Sequence, residues 1–190
     1  YFFGWRVLAV IAVSMAAAVG TELIIQKALK QKTTIMDGSA ALTGLLLALT
    51  LPPTVPLWIT AIGAIFAIAI AKQVFGGLGT NPFNPALIGR AFLTAAWPTF
   101  MSTWKWPHAA HSLVQQLASS DAVSAASDVI SSATPLQLAK SMGIQVPLEP
   151  LLWGNVAGSL GEVSAIALLA GGLYLIIRRI IDWRTPVAYL

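Results

Sequence analysis

Two carboxylates stand inside stretches that are otherwise apolar: Glu22 within residues 7–25 and Glu162 within residues 151–177. An ionised side chain at the centre of a bilayer costs about 2.5–3.5 kcal/mol on insertion scales, so it faces a polar partner or an ion path. Glu22 is also close to Lys27, which leaves an interfacial position open to it. Glu162 sits well inside its stretch, after Gly154 and Gly158, a pair spaced for close helix packing.

A second group of residues suits ligand contact. Phe75-Gly-Gly-Leu-Gly-Thr-Asn-Pro-Phe-Asn-Pro-Ala-Leu87 combines clustered glycines, which permit close backbone approach, with prolines that forbid a continuous helix. In a helical turn Asn81 and Asn84 would share a face. Their amides offer donors and an acceptor without charge, which suits a neutral heteroaromatic ring inside a membrane. Asn84 before Pro85 equally fits a helix N-cap followed by an N1 proline, and both readings stand. Asp37-Gly38 reads as a helix start, and Arg90 as an interfacial or partnered cation.

In Ser131-Ser-Ala-Thr-Pro-Leu136, small neighbours leave the Thr134 hydroxyl accessible and Pro135 fixes the backbone beside it. A modifying enzyme could use such a threonine; a plain loop explains it as well. His108 and His111 have no third ligand nearby, so the spacing favours exposed loop histidines over a metal pair, and no metal site is expected. No nucleophile triad, phosphate-binding loop or dinucleotide fingerprint occurs. The chain has no cysteine, which excludes disulfides, thiol catalysis and iron–sulfur ligation. Redox chemistry would have to come from an organic cofactor or a partner chain.

The elements that position these residues must lie in lipid. Apolar residues make up 57% of the chain and charged residues 9%, against roughly 25% charged in soluble domains. Mean hydropathy is +0.78. The pattern predicts an all-α, polytopic helical membrane protein with spans near 7–29, 39–51, 57–75, 83–101 and 151–177. Short runs broken by Pro and Gly suggest discontinuous helices lining a cavity, with tilted, ragged-ended helices as the alternative. The net charge of +4 does not indicate nucleic acid, because Lys and Arg sit at the ends of apolar runs rather than along one face.

Lys27, Lys30 and Lys32 follow the first run, Lys72 closes the third by snorkelling, and Arg178, Arg179 and Arg184 follow the last. Placing all three clusters in the cytoplasm gives alternating spans and leaves 101–150 as an extracytoplasmic loop. Trp97, Trp104, Trp106 and Trp153 read as an interfacial belt. The start at Tyr1 and the apolar run from 185 onward suggest an excerpt of a longer chain.

Several of these stretches together resemble the D subunit of the Rnf electron-transport complex and its relative, the B subunit of sodium-translocating NADH:quinone reductase. The resemblance rests on Asp37-Gly-Ser-Ala with Thr43-Gly44 and Leu51-Pro-Pro, and on Ala71-Lys-Gln-Val-Phe-Gly-Gly-Leu-Gly with Asn81-Pro-Phe-Asn-Pro-Ala-Leu and Arg90-Ala-Phe-Leu93. Gly154-Asn and Gly-Glu162-Val-Ser164 complete it. Lys72-Gln73 and the Thr-Pro-Leu ending tilt it toward the Rnf subunit.

That resemblance implies membrane electron transfer coupled to Na+ or H+ movement, in a bacterial or archaeal inner (cytoplasmic) membrane, within a complex of other membrane and peripheral subunits. It implies a urea-transporter-like inverted-repeat fold, of which this chain would be a fragment. It implies FMN joined through its phosphate to Thr134 by a flavin transferase, supported by Asp128 and Ser131; Ser132 stands where glycine is usual. It further implies non-covalent riboflavin near Asn81 and Asn84, with Thr43 beside them. Glu22 matches a carboxylate linked to cation uptake, and Glu162 matches a motif position of the family. The rival readings are the quinone-reductase subunit, a urea-transporter-like solute channel without redox role, and a structural subunit that seats partners.

Overall fold

The computed structural model describes residues 3–107, 134–142 and 147–189. Within them the chain is helical, without strands. Helix α1 (Arg6–Ala28) is the one helix among the described residues long and apolar enough to cross a bilayer; the other apolar helices are shorter. Its buried residues are Val10, Ser14, Ala18, Glu22 and Gln26, one every fourth position, so a single polar-to-small stripe faces the interior. Most of the rest of its surface between Arg6 and Lys27 is apolar, with Leu8 and Ile24 exposed, as expected of a helix in lipid.

A 3-10 turn (Ile35–Asp37) leads through Gly38, in the left-handed region, into α2 (Ser39–Thr50). After the Pro52-Pro53 turn, α3 (Leu57–Phe66) passes without interruption into a π-helical segment (Ala67–Gln73). Helix α4 (Pro85–Ala96) and the short α5 (Pro98–Ser102) share Trp97 as a boundary, because Pro98 supplies no N–H to continue α4. The stretch expected as a span at 83–101 is therefore two helices with a break. The four principal helices run up, down, up and down. Arg6 donates to the Thr54 carbonyl (3.3 Å) and Thr54 to the Thr103 carbonyl (3.2 Å) at one end. Glu22, Ser39 and Lys72 meet at the other.

Small residues let the backbones approach. Ser14 Oγ donates to the Gly44 carbonyl at 2.7 Å across the α1–α2 contact. A Cβ on Gly44 would lie 2.8 Å from Met15 Cα and 2.8 Å from the Ser14 carbonyl oxygen. Both are backbone atoms of a packed helix and cannot yield locally. Gly44→Ala is accordingly expected to destabilise the full-length protein by about 1–3 kcal/mol, the usual range for overpacking. Denaturant unfolding in detergent reads this directly, and an unchanged midpoint would show that the helices part freely. Gly89 performs the same service between α4 and the third helix, where a Cβ would sit 2.9 Å from Ala67 Cβ. Aromatic side chains pack there, with Phe66 and Phe92 stacked at 4.0 Å and Trp58 edge-on to Trp97 at 5.4 Å.

The stretch 151–177 departs most from expectation. Two further helices, α6 (Pro135–Met142) and α7 (Leu148–Trp153), precede or enter it. It is not one span but the end of α7, a non-helical segment, and α8 (Ala165–Ile177). Gly154 ends α7 in the left-handed region at φ 95°, a conformation that favours glycine. Gly154 and Gly158 therefore do not form a helix-packing pair. The non-helical segment docks on the end of α2: Leu160 N–H donates to the Leu51 carbonyl (3.2 Å) and Gly161 N–H to the Leu49 carbonyl (2.8 Å). These are carbonyls at and beyond the C-terminal end of a helix, which lack partners within it. The segment thus supplies its own backbone donors to groups that lipid could not satisfy. A short helix α9 (Arg184–Tyr189) completes the described chain. Breaks at Trp97-Pro98 and at 154–164 interrupt two of the expected runs.

Candidate functional site

The interior stripe of α1 brings Glu22 into the bundle, where it is 1% exposed. Its Oε1 accepts from Lys72 Nζ at 2.7 Å, from Gln73 Nε2 at 2.9 Å and from Gln26 Nε2 at 3.3 Å. Lys72 is equally buried, so the pair is a salt bridge out of contact with solvent. The reading of Lys72 as a snorkelling cation at the membrane surface is therefore corrected. A long cation can reach water only if its stem points outward, whereas here the ammonium points inward to a carboxylate. A Lys and a Glu that each interrupt apolar sequence are individually costly, and together they neutralise one another.

The π-helical segment explains how two consecutive residues, Lys72 and Gln73, donate to one oxygen. Its wider turn brings adjacent side chains closer to a common face than an α-helix of 3.6 residues per turn would. Gln26 does a second task one turn beyond Glu22. Its Nε2 also donates to Thr34 Oγ1 (2.8 Å) and its Oε1 accepts from Thr34 N–H (3.0 Å), which ties the loop after α1 back onto the site. Glu22 Oε2 is buried and has no hydrogen-bond partner among the described residues.

Lys72 Nζ also donates to Ser39 Oγ at 2.6 Å. Ser39 in turn donates its hydroxyl to Asp37 Oδ1 (2.7 Å) and its N–H to the same oxygen (2.8 Å). Asp37 is exposed at the start of α2, so the helix-start reading of Asp37-Gly38 holds. The Ser39 hydroxyl and then the Ser39 N–H hold the Asp37 carboxyl below its ordinary value, and the Lys72 charge adds to this against a small opposing effect of burial.

Asn81 and Asn84 do not share a helical face. Asn81 precedes α4 and, with its amide turned toward two carbonyls, donates to Lys72 O (3.1 Å) and Gly77 O (2.9 Å). It thereby holds the glycine turn, in which Gly76, Gly77 and Gly79 all have positive φ. Asn84 is the N-cap of α4, accepting from Ala86 N–H at 2.9 Å, with Pro85 at N1. An apolar cleft of about 190 Å³ opens beside this turn, lined by Phe66, Ile70, Ala71, Phe75, Phe83 and Ile88. Thr43 donates its hydroxyl to the Ser39 carbonyl at 2.9 Å.

Glu162 is exposed, in the non-helical segment, and accepts from Ser159 Oγ at 2.6 Å. It is not inside a helical span, because the glycines around it take the chain out of helix. Thr134 is half-buried at the start of α6, where its Oγ1 accepts from Gln137 N–H (3.3 Å) ahead of Pro135. Asp128, Ser131, Ser132, His108 and His111 lie outside the described residues. No group of three or more metal-ligating side chains occurs among the described residues.

The whole chain, residues 1–190, matches the NQR2, RnfD, RnfE family. The chain belongs to that family. Over its full length it is 46% identical to the D subunit of a Na+-translocating ferredoxin:NAD+ oxidoreductase complex from Acetobacterium woodii, of which it covers 56%. It is 42% identical, over 99% of its length, to the D subunit of a proton-translocating ferredoxin:NAD+ oxidoreductase complex from Clostridium ljungdahlii, covering 55% of it. It is 37% identical over its full length to the D subunit of an ion-translocating oxidoreductase complex from Shigella boydii, covering 60%. The chain thus spans 55–60% of the length of these relatives. Within the family, the likeness lies with the Rnf member, as the motifs indicate. Family membership also accounts for an exterior on which Leu169, Leu173 and Ile177 of α8 are exposed, since the family's proteins are membrane proteins.

Sequence reasoning missed the partner of Glu22. The signal was available: in a chain with 9% charged residues, a Lys that interrupts one apolar run and a Glu that interrupts another are natural counter-ions.

Proposed function

We propose that this chain is part of the flavin-carrying membrane subunit of an Rnf-type complex, relaying electrons between subunits coupled to Na+ or H+ translocation. The observation that carries the reading is the double role of Lys72. Its side chain neutralises the buried Glu22, and its backbone carbonyl is held by Asn81 in the glycine turn. The ion-path candidate and the cofactor-contact candidates are thus joined through one residue.

The residues present fit both proposed flavins. With its amide N–H groups engaged, Asn81 keeps Oδ1 as an acceptor, while the exposed Asn84 keeps Nδ2 as a donor. An acceptor and a donor are the groups that the imide edge of an isoalloxazine calls for, and Phe66, Phe75 and Phe83 line an apolar cleft. At Thr134, the cap uses Oγ1 as an acceptor, so replacing the hydroxyl hydrogen by phosphate leaves the cap available. The ester would put its negative charge at the start of α6, where helix dipoles favour anions. Bound isoalloxazine would supply the electron-carrying chemistry that the side chains lack.

The full-length subunit in this reading is multi-pass in a bacterial or archaeal cytoplasmic membrane, has a urea-transporter-like inverted-repeat fold, and matures through a flavin transferase. The relatives' names differ in the ion translocated, so the ion is left as Na+ or H+. Glu22→Gln in the full-length protein, assembled in its complex in vesicles, tests the coupling. Ion-driven turnover is expected to fall at least tenfold while flavin content stays at the parental level. Unchanged turnover and unchanged dependence on Na+ and H+ gradients would remove Glu22 from the path.

A further inference from the structure

The Glu22–Lys72 pair is buried, yet hydrogen bonds link it to an exposed side chain. Glu22 Oε1, Lys72 Nζ, Ser39 Oγ and Asp37 Oδ1 follow one another at 2.7, 2.6 and 2.7 Å, and this series runs from the buried interior of α1 to an exposed carboxylate at the start of α2. Donor direction within it is fixed by chemistry, since an ammonium only donates and a carboxylate only accepts. The Ser39 hydroxyl, the one group able to do both, stands between them. We infer that Asp37, Ser39 and Lys72 form a proton path that connects the buried Glu22 carboxylate to water. Asp37 is its aqueous port and the Ser39 hydroxyl its relay. The inference rests on the reading of Glu22 as the ion-linked carboxylate and adds that the particle reaching it is a proton.

The transfers balance. In uptake, Lys72 passes one ammonium proton to Glu22, leaving an amine and a carboxylic acid. The Ser39 hydroxyl turns and gives its proton to the amine while taking one from the Asp37 carboxyl, which water has protonated. The net result is one proton moved from water to Glu22, with Lys72 an ammonium again. Release runs through the same bonds in reverse, with the hydroxyl oriented as the structure has it. After uptake, a half-turn of the protonated carboxyl carries the acquired proton to the position of the unpartnered Oε2 and returns a bare oxygen to Lys72, Gln73 and Gln26. The other side chains bonded to Glu22, those of Gln26 and Gln73, are neutral, and Lys30 and Lys32, in the connection between α1 and α2, make no side-chain hydrogen bond to these four residues among those described. Arg90, the titratable residue of α4, makes no hydrogen bond or ion pair with these four residues among those described, and Lys27 lies beyond the site at the end of α1.

Infrared difference spectroscopy after an acid pH jump, on the purified full-length protein in lipid, reads this without electron transfer or transport. A carboxylic C=O band of a buried acid is expected to grow in, and to be missing in Glu22→Gln. In Ser39→Ala and Asp37→Asn the band is expected to reach the parental amplitude at least tenfold more slowly; Ser39→Thr, which keeps the hydroxyl, restores the rate. A parental rate in Ser39→Ala, equal slowing in Ser39→Thr, or a band that persists in Glu22→Gln each overturns the path. Should the spectra behave as expected while Glu22→Gln leaves ion-driven turnover untouched, the path stands and the transport role of Glu22 falls.

Discussion

Replacing Lys72 with methionine lowers the stability of the full-length protein by about 3–5 kcal/mol, the cost of leaving one member of a buried ion pair without the other. The methionine fills most of the volume of the lysine stem, so the loss reports charge rather than packing. Glu22 then keeps only the neutral donors Gln73 and Gln26, and a carboxylate so placed must take up a proton or leave the interior. Combining Lys72→Met with Glu22→Gln recovers most of the loss, because neutral replacements of a buried pair are often tolerated. Denaturant unfolding of the single and double variants in the same detergent measures both effects. A loss below about 1 kcal/mol in Lys72→Met, the size seen for exposed pairs, would mean that the pair is solvated and that the interior reading is wrong.

Thr134→Ala is expected to abolish the proposed covalent flavin in the full-length chain produced together with a flavin transferase. A phosphoester needs the threonine oxygen, and alanine has none, so the effect is all or nothing. On a denaturing gel under ultraviolet light the parental band glows and the variant band is dark; intact mass shows the parental chain heavier by the FMN moiety. The fold is expected to survive, because the lost cap to Gln137 N–H is worth about 0.5–2 kcal/mol at the start of a short helix. Fluorescence retained in Thr134→Ala would place the attachment elsewhere. A dark band in the parental protein as well would favour a structural protein or channel without covalent flavin.

The two predictions address different parts of the molecule and do not depend on one another. Lys72 and Glu22 are fixed by packing among α1, α2 and the π-helical segment, whereas Thr134 sits at the start of α6. A variant without the proposed flavin would keep the pair, and one without the pair would still carry Thr134.

Composition and pattern alone determined the class of the protein and much of its local structure. Too few charges for a water-facing surface required a membrane protein, and prolines and glycines placed the breaks. Asn84 with Pro85 announced the start of α4, and Asp37-Gly38 that of α2, because caps are made by residues a few positions apart and are written in consecutive sequence. The motifs were specific enough to name the family. The stretch 151–177 misled because its hydropathy reads as one span, while Gly154 turns the chain out of helix and the backbone bonds of Leu160 and Gly161 go to Leu51 and Leu49, more than a hundred residues earlier. Only the tertiary structure decided that Lys72 points inward, that a π-helical turn aims Lys72 and Gln73 at one oxygen, and that Ser39 and Asp37 continue the series to water. Those partners lie 33 and 50 residues apart in sequence, and the direction of a long side chain is set by what packs around it rather than by its neighbours in the chain.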